Sequence, residues 1–167
     1  YLWSVTNGIG LIQADGMLTV TKVGSGEVQA RLKSDQKISA ISRQIEVVAD
    51  TADQVSISLS SNTVIIGGTN QSEITVIVTD AYGNRISGET VKMTASMGTV
   101  PATATEIGGG VYQATYKGTA EVGSATITAT IDNQKQATAT INQVKSSFNI
   151  TVVQTSQTVE IGQKANF

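Results

Sequence analysis

Between Ser124 and Ile131 the side chains alternate without interruption: Ala125, Ile127, Ala129 and Ile131 are apolar, and Ser124, Thr126, Thr128 and Thr130 are polar. Successive side chains of an extended strand point to opposite faces, so a run of this kind offers one face to a core and the other to water. Ala137, Ala139 and Ile141 alternate in the same way with Thr138, Thr140 and Asn142, and Asp132 and Asn133 lie between the two runs. Turn residues in that place predict a hairpin. The period recurs at Ile74, Val76 and Val78, at Val91, Met93 and Ala95, and at Tyr112, Ala114 and Tyr116. Turn-forming segments bound these runs: GGTN at 67–70, DAYGN at 80–84, SMG at 96–98 and GGG at 108–110. No window sustains a 3.6-residue repeat, which leaves essentially no helix. Roughly seven strands between residues 54 and 142 predict an all-β fold, an antiparallel β-sandwich.

Composition agrees and removes several functions. Thr, Val and Ile are abundant and Pro occurs once, as expected of strands rich in β-branched residues. The 167 residues suffice for one or two domains of the usual ~100–150 residues, and a 40% apolar content can fill a core. Charged residues are 14% of the chain, the net charge is -2 and no basic run occurs. Neither nucleic acid nor an anionic membrane surface is therefore an expected partner. Apolar stretches such as Val64-Ile65-Ile66 fall far short of the ~20 residues that span a bilayer, so no direct membrane insertion is expected. There is no Cys, hence no disulfide framework, and the redox compartment stays open. The chain opens on Tyr1-Leu2-Trp3 without an initiator Met or a leader, and its ends are expected to be cut from something longer.

Self-comparison sets the organisation. Residues 23–30, VGSGEVQA, align without a gap on 122–129, VGSATITA, and residues 61–67, SNTVIIG, align on 156–162, SQTVEIG. The offsets, 99 and 95 residues, agree on a period close to one sandwich module. By that period residues 1–50 are the later half of a module, 54–142 a whole one, and 148–167 the opening strands of a third. The seams at 50–53 and 143–147 are short, which predicts an extended, semi-rigid rod of tandem modules.

The segments VTDAYGN (78–84), ISGETV (86–91), GVYQAT (110–115) and VGSATITA (122–129) resemble the bacterial immunoglobulin-like domain of the invasin and intimin type (Big_1) across most of 54–142. Arg85 stands where that family commonly carries Pro after Gly-Asn, a departure confined to the turn. Trp3-Ser4, DGMLTV (15–20) and Gly24-Ser25-Gly26 make the first segment similar to the second bacterial type (Big_2). The resemblance implies tandem immunoglobulin-like sandwich modules of surface adhesins, S-layer proteins and some phage structural proteins. It implies an extracellular, cell-surface setting and no catalytic residues. Such modules commonly serve as spacers, with receptor binding reserved for a terminal domain.

The chain has no His and no Cys, which removes the commonest general base, the Ser-His-Asp and Cys-His nucleophile systems, and His- or thiolate-based zinc sites. The expectation is a non-enzymatic chain with no catalytic, cofactor-binding or metal-binding residues. Asp80, Glu89, Glu106 and Glu121 read as solvated surface charge. Gly108-Gly109-Gly110 reads as a hairpin turn, since no helix follows it to cradle a phosphate. Asp50 and Asp53 flank a seam, where Ca²⁺ would bind oxygen ligands, but an isolated acidic pair reads as a polar linker. Trp3, Tyr112 and Tyr116 could stack on a sugar; period two instead puts both tyrosines on the core face with Ala114.

The remaining candidates are loop contacts at Tyr82, Asn84 and Met97, and N-glycosylation sequons at Asn70 and Asn149. Three functions follow. The first is a structural spacer or stalk of a surface adhesin, whose partners are neighbouring modules of its own chain or adjacent subunits. The second is a module that binds a host surface receptor or a glycan through its loops. The third is a filament-forming, phage or S-layer subunit, in which residues 148–167 of one copy supply strands to the opening half-module of the next.

Overall fold

A computed structural model describes residues 1–67, 71–132, 134–147 and 161. Among them all regular structure is strand. The first 50 residues carry seven short strands: β1 (Leu2–Val5), β2 (Gly10–Ile12), β3 (Leu18–Val20), β4 (Gly24–Gly26), β5 (Val28–Arg31), β6 (Ser39–Ile41) and β7 (Ile45–Val47). They form a three-stranded sheet in the order β1-β5-β6 and two ribbons, β2-β3 and β4-β7. Only Ile9 among the larger apolar residues of this segment is deeply buried, whereas Leu11, Ile38, Ile41 and Val48 are exposed.

The following eight strands are a two-sheet sandwich. β8 (Gln54–Leu59), β10 (Gln71–Thr79), β12 (Thr105–Gly108) and β13 (Val111–Lys117) form one sheet in the order β12-β13-β10-β8. β9 (Thr63–Ile65), β11 (Lys92–Ala95), β14 (Gly123–Thr130) and β15 (Gln136–Val144) form the other in the order β11-β14-β15-β9. The alternation seen in the sequence sets which side chains face the gap. Ile74, Val76, Val78, Tyr112 and Tyr116 come from the first sheet, and Met93, Ala125, Ile127, Ala129 and Ile141 from the second; all are buried in one cluster. Each large apolar side chain so buried stabilises the fold by about 1.5–3 kcal/mol. A one-residue slip of β14 would turn its threonines into that core, so the pattern also fixes register.

The predicted hairpin is present, with Ala125 opposite Ile141 and Ala129 opposite Ala137. Residues 108–110 form the turn between β12 and β13. Both copies of the VGS repeat occupy the same structural place. β14 is the first arm of the β14-β15 hairpin, and β4 and β5 are the first arm of a hairpin completed by β6 and β7.

Two features differ from the sequence expectation. Among the described residues the sandwich has eight strands where roughly seven were expected, and β9 pairs with β15 in parallel rather than antiparallel. After β8 the chain crosses from one sheet to the other and lands beside the last strand running the same way. Buried Ser72 holds that crossing, its Oγ donating to the Ser61 carbonyl at 2.6 Å and accepting from the Ser61 N–H at 3.2 Å. A three-residue apolar run carries no information about strand direction. The solvated reading of Asp80 is also corrected, because the residue is only 1% exposed.

The pairing registers define two ends. Gln54 lies opposite Thr79, so the chain enters beside the 80–84 loop. Gln71 lies opposite Lys117 and Gly123 opposite Gln143, so the chain leaves at the other end. β10, with nine residues, spans about 30 Å between them at ~3.3 Å per residue.

Candidate functional site

The entrance end is organised by Asp80. The chain leaves β10 and must reverse within a few residues, and the Asp80 carboxylate supplies acceptors for the backbone N–H groups that the reversal frees. Its Oδ1 accepts from Tyr82 N at 2.9 Å and Asn84 N at 2.8 Å. Gly83 adopts φ +84°, a left-handed conformation that a side chain would disfavour. Asp80 N donates to the Asn84 carbonyl at 2.9 Å and closes the loop. The second oxygen, Oδ2, accepts from the Asn84 side-chain Nδ2 at 2.9 Å and from Asp50 N at 3.2 Å. Burial pushes the Asp80 carboxyl pKa up, but the Asn84 amide and the N–H groups of Asn84, Asp50 and Tyr82 outweigh it and hold the group below its ordinary value.

Asn84 then reaches across the seam. Its Nδ2 donates to the Thr21 carbonyl at 3.2 Å and its Oδ1 accepts from Val23 N at 3.2 Å. Beside these contacts lies an open cleft of about 340 Å³ with apolar walls from Val20, Val47, Val48, Ala49 and Tyr82. The linker is pinned at the same end, where Asp53 N donates to the Thr79 carbonyl at 2.9 Å and Lys135 Nζ meets Asp53 Oδ1 at 2.8 Å. The Asp50 carboxylate accepts from Thr51 N. Among the described residues no cluster of three or more acidic side chains could share a metal ion.

Of the three candidate loop contacts, Tyr82 and Asn84 share this loop. Tyr82 is 61% exposed and Asn84 is partly buried at the seam. Met97 is at the exit end, partly packed against the core and near Gly123, in the turn whose Thr99 bridges to Lys117. One ligand does not meet all three. Asn70 and Asn149 lie outside the described residues, as does the 156–162 copy of the second repeat apart from exposed Ile161.

Tyr112 Oη accepts from Glu89 N at 2.9 Å and donates to the Ile86 carbonyl at 3.1 Å. Its pKa is raised, first by burial and then by the Glu106 and Glu89 carboxylates, against a lowering contribution from the Glu89 N–H. Burial alone raises that of Tyr116. Glu106 accepts from Gly88 N at 3.0 Å, and that bond, with the Ser87 hydroxyl, holds its carboxyl below the ordinary value. Trp3 is partly buried, with Tyr1 tilted against it at 6.1 Å between ring centroids. The seam contacts were the feature hardest to find in the sequence. The DAYGN string signals a turn, but nothing in it names Thr21 or Val23 as the acceptor and donor.

Comparison with known proteins agrees with this architecture. The chain is similar to the adhesin InvE of Yersinia pseudotuberculosis, with 25% identity, a TM-score of 0.50, and coverage of 55% of this chain and 26% of that one. It shares its fold with the Escherichia coli adhesin FdeC, at 21% identity and TM-score 0.59, covering 87% of this chain and 52% of FdeC. It does so too with invasin, described as a bacterial integrin-binding protein, at 21% identity and TM-score 0.53, covering 86% of this chain and 31% of that one. The chain thus spans between about a quarter and about half of these relatives. Residues 51–146 match the family model for invasin, domain 3. With more than half of its residues matched, the chain belongs to the invasin domain 3 family, the immunoglobulin-like modules of bacterial surface adhesins.

Proposed function

We propose that this chain is a non-catalytic spacer, part of the stalk of an extracellular bacterial adhesin displayed on the cell surface. Residues 1–50 form the later half of a type-2-like module, residues 54–142 a whole invasin-type module, and residues 148–167 the start of a third. The observation that carries the reading is the placement of the ends: the chain enters the sandwich beside Thr79 and leaves it beside Lys117, at opposite ends of β10. Modules joined in that way add length rather than girth. With no His and no Cys, the residues that most often move protons or attack substrates are missing. The partners of such a spacer are neighbouring modules and, for the whole protein, a host surface receptor, a reading supported by the similarity to adhesins.

A receptor-binding role for this module is favoured by one observation, the 61% exposure of the Tyr82 ring beside the apolar cleft. Beads coated with the chain separate the two functions on cultured host cells. A spacer gives no adhesion above uncoated beads. Adhesion that Tyr82→Ala abolishes without changing the melting temperature would establish receptor binding instead.

A further inference from the structure

Asn84 makes hydrogen bonds to both a carbonyl and an N–H of residues 21–23, and it makes them in a particular pattern. It donates to the carbonyl of Thr21 and accepts from the N–H of Val23, the two groups that flank residue 22. A residue of a neighbouring parallel strand would use the same two groups, its own N–H and C=O bonding one residue before and one after its partner. The Asn84 carboxamide therefore stands in for one residue of a strand. Both bonds across the seam are to main-chain atoms, so they do not depend on which side chains residues 21–23 carry.

The orientation of the amide is fixed. A carboxylate can only accept, so Asp80 Oδ2, 2.9 Å from Asn84 Nδ2, requires the NH₂ on its side and turns Oδ1 toward Val23. The same Oδ2 accepts from Asp50 N in the linker, so one buried carboxylate holds both the latch and the segment that joins the two parts. The apolar walls beside it leave an open cleft of about 340 Å³, and Val48 is 74% exposed. Close apolar packing, which would otherwise set the angle, is incomplete here.

We propose that the Asp80–Asn84 loop is a latch that docks the preceding module by its backbone and fixes the angle between the two. The partner it fits is an immunoglobulin-like module presenting an extended segment with a free carbonyl and N–H two residues apart, whatever its side chains. Asp80 is a positioning residue that acts through Asn84. The inference rests on the stalk reading only in taking the docked partner to be a preceding module.

The chain has no Cys, so spin labels can be placed at will. Lys33→Cys and Thr138→Cys lie on exposed residues of the two parts, and pulsed dipolar spectroscopy reads the distribution of distances between them. The latched protein gives one narrow peak. Asn84→Ala and the isosteric Asn84→Asp lose that peak and give a broad distribution, while amide NMR shows the 54–144 sandwich still folded. The double change Thr21→Val with Val23→Thr, which alters side chains and keeps the main chain, retains the narrow peak. An unchanged peak in both Asn84 variants would overturn the latch, and broadening by the Thr21/Val23 swap would overturn backbone reading. Neither outcome touches the stalk reading, which fails separately if beads coated with the chain adhere to cells.

Discussion

Tyr112 and Tyr116 are both fully buried on the same face of β13, yet removing their hydroxyls should have opposite consequences. Tyr112→Phe leaves the Glu89 N–H and the Ile86 carbonyl without the partner they now share at 2.9 and 3.1 Å. Leaving such groups unsatisfied costs about 1–3 kcal/mol. The Tyr116 hydroxyl is buried with no hydrogen-bond partner among the described residues, so Tyr116→Phe removes an unsatisfied group at the same change in shape. Its effect should lie between neutral and about 1 kcal/mol stabilising. In a sandwich of this size each kcal/mol moves the melting temperature by about 4–8 °C. The assay is thermal and urea unfolding of both variants followed by far-ultraviolet circular dichroism or amide NMR, because the single tryptophan, Trp3, reports on the first segment and not on the sandwich. Equal losses in the two variants, or a larger loss for Tyr116→Phe, would refute the assignment of the hydrogen bonds.

Further predictions concern the core, a turn and two titrations. Ile127 is 0% exposed, and Ile127→Ala should cost about 2–5 kcal/mol in urea unfolding; an unchanged midpoint would mean that β14 presents its other face. Gly98 has φ +78°, and a Cβ there would meet the Lys117 carbonyl at 2.7 Å and the Tyr116 hydroxyl oxygen. Gly98→Ala should therefore cost at least about 1–3 kcal/mol, seen as a lower melting temperature. The Asp80 carboxyl has a lowered pKa in the folded chain, so its contribution is present above the ordinary ~3.9 and is lost as pH falls through the folded value. The Tyr82 and Asn84 amide shifts should move together in that acid range, and in Asp80→Asn they should not. Tyr112 and Tyr116 are raised, so their contribution is intact below the ordinary ~10 and is lost as pH rises through their folded values; ultraviolet titration should show both ionising late.

What the sequence made legible follows its periodicity. Alternation located β10, β13, β14 and β15 and the inward residues Ile74, Tyr112, Ile127 and Ile141, because burying one face leaves a period of two in the chain. β9 was harder: Val64 is buried and Ile65 exposed, but three residues do not say which sheet they join or in which direction. Asp80 was missed for a related reason. A charged residue in a turn is usually solvated, and only three dimensions reveal that four N–H donors converge on this one. Tyr82 and Asn84 stood out as turn residues, yet the partner of Asn84 is some 60 positions away at Thr21 and Val23, a pairing that no local pattern encodes. The separation of Met97 from them follows from the register of β10 against β13, which the sequence leaves unstated.

The central claim, that modules of this family join end to end into a stalk, is most directly tested by small-angle X-ray scattering on proteins carrying increasing numbers of tandem copies of residues 51–147. With entrance and exit at opposite ends of a sandwich about 30 Å long, each added copy should lengthen the maximum dimension by a constant step of at least about 30 Å, while the cross-sectional radius stays fixed. A maximum dimension that grows only as the cube root of mass, with a thickening cross-section, would show modules folding back on one another and would contradict the account.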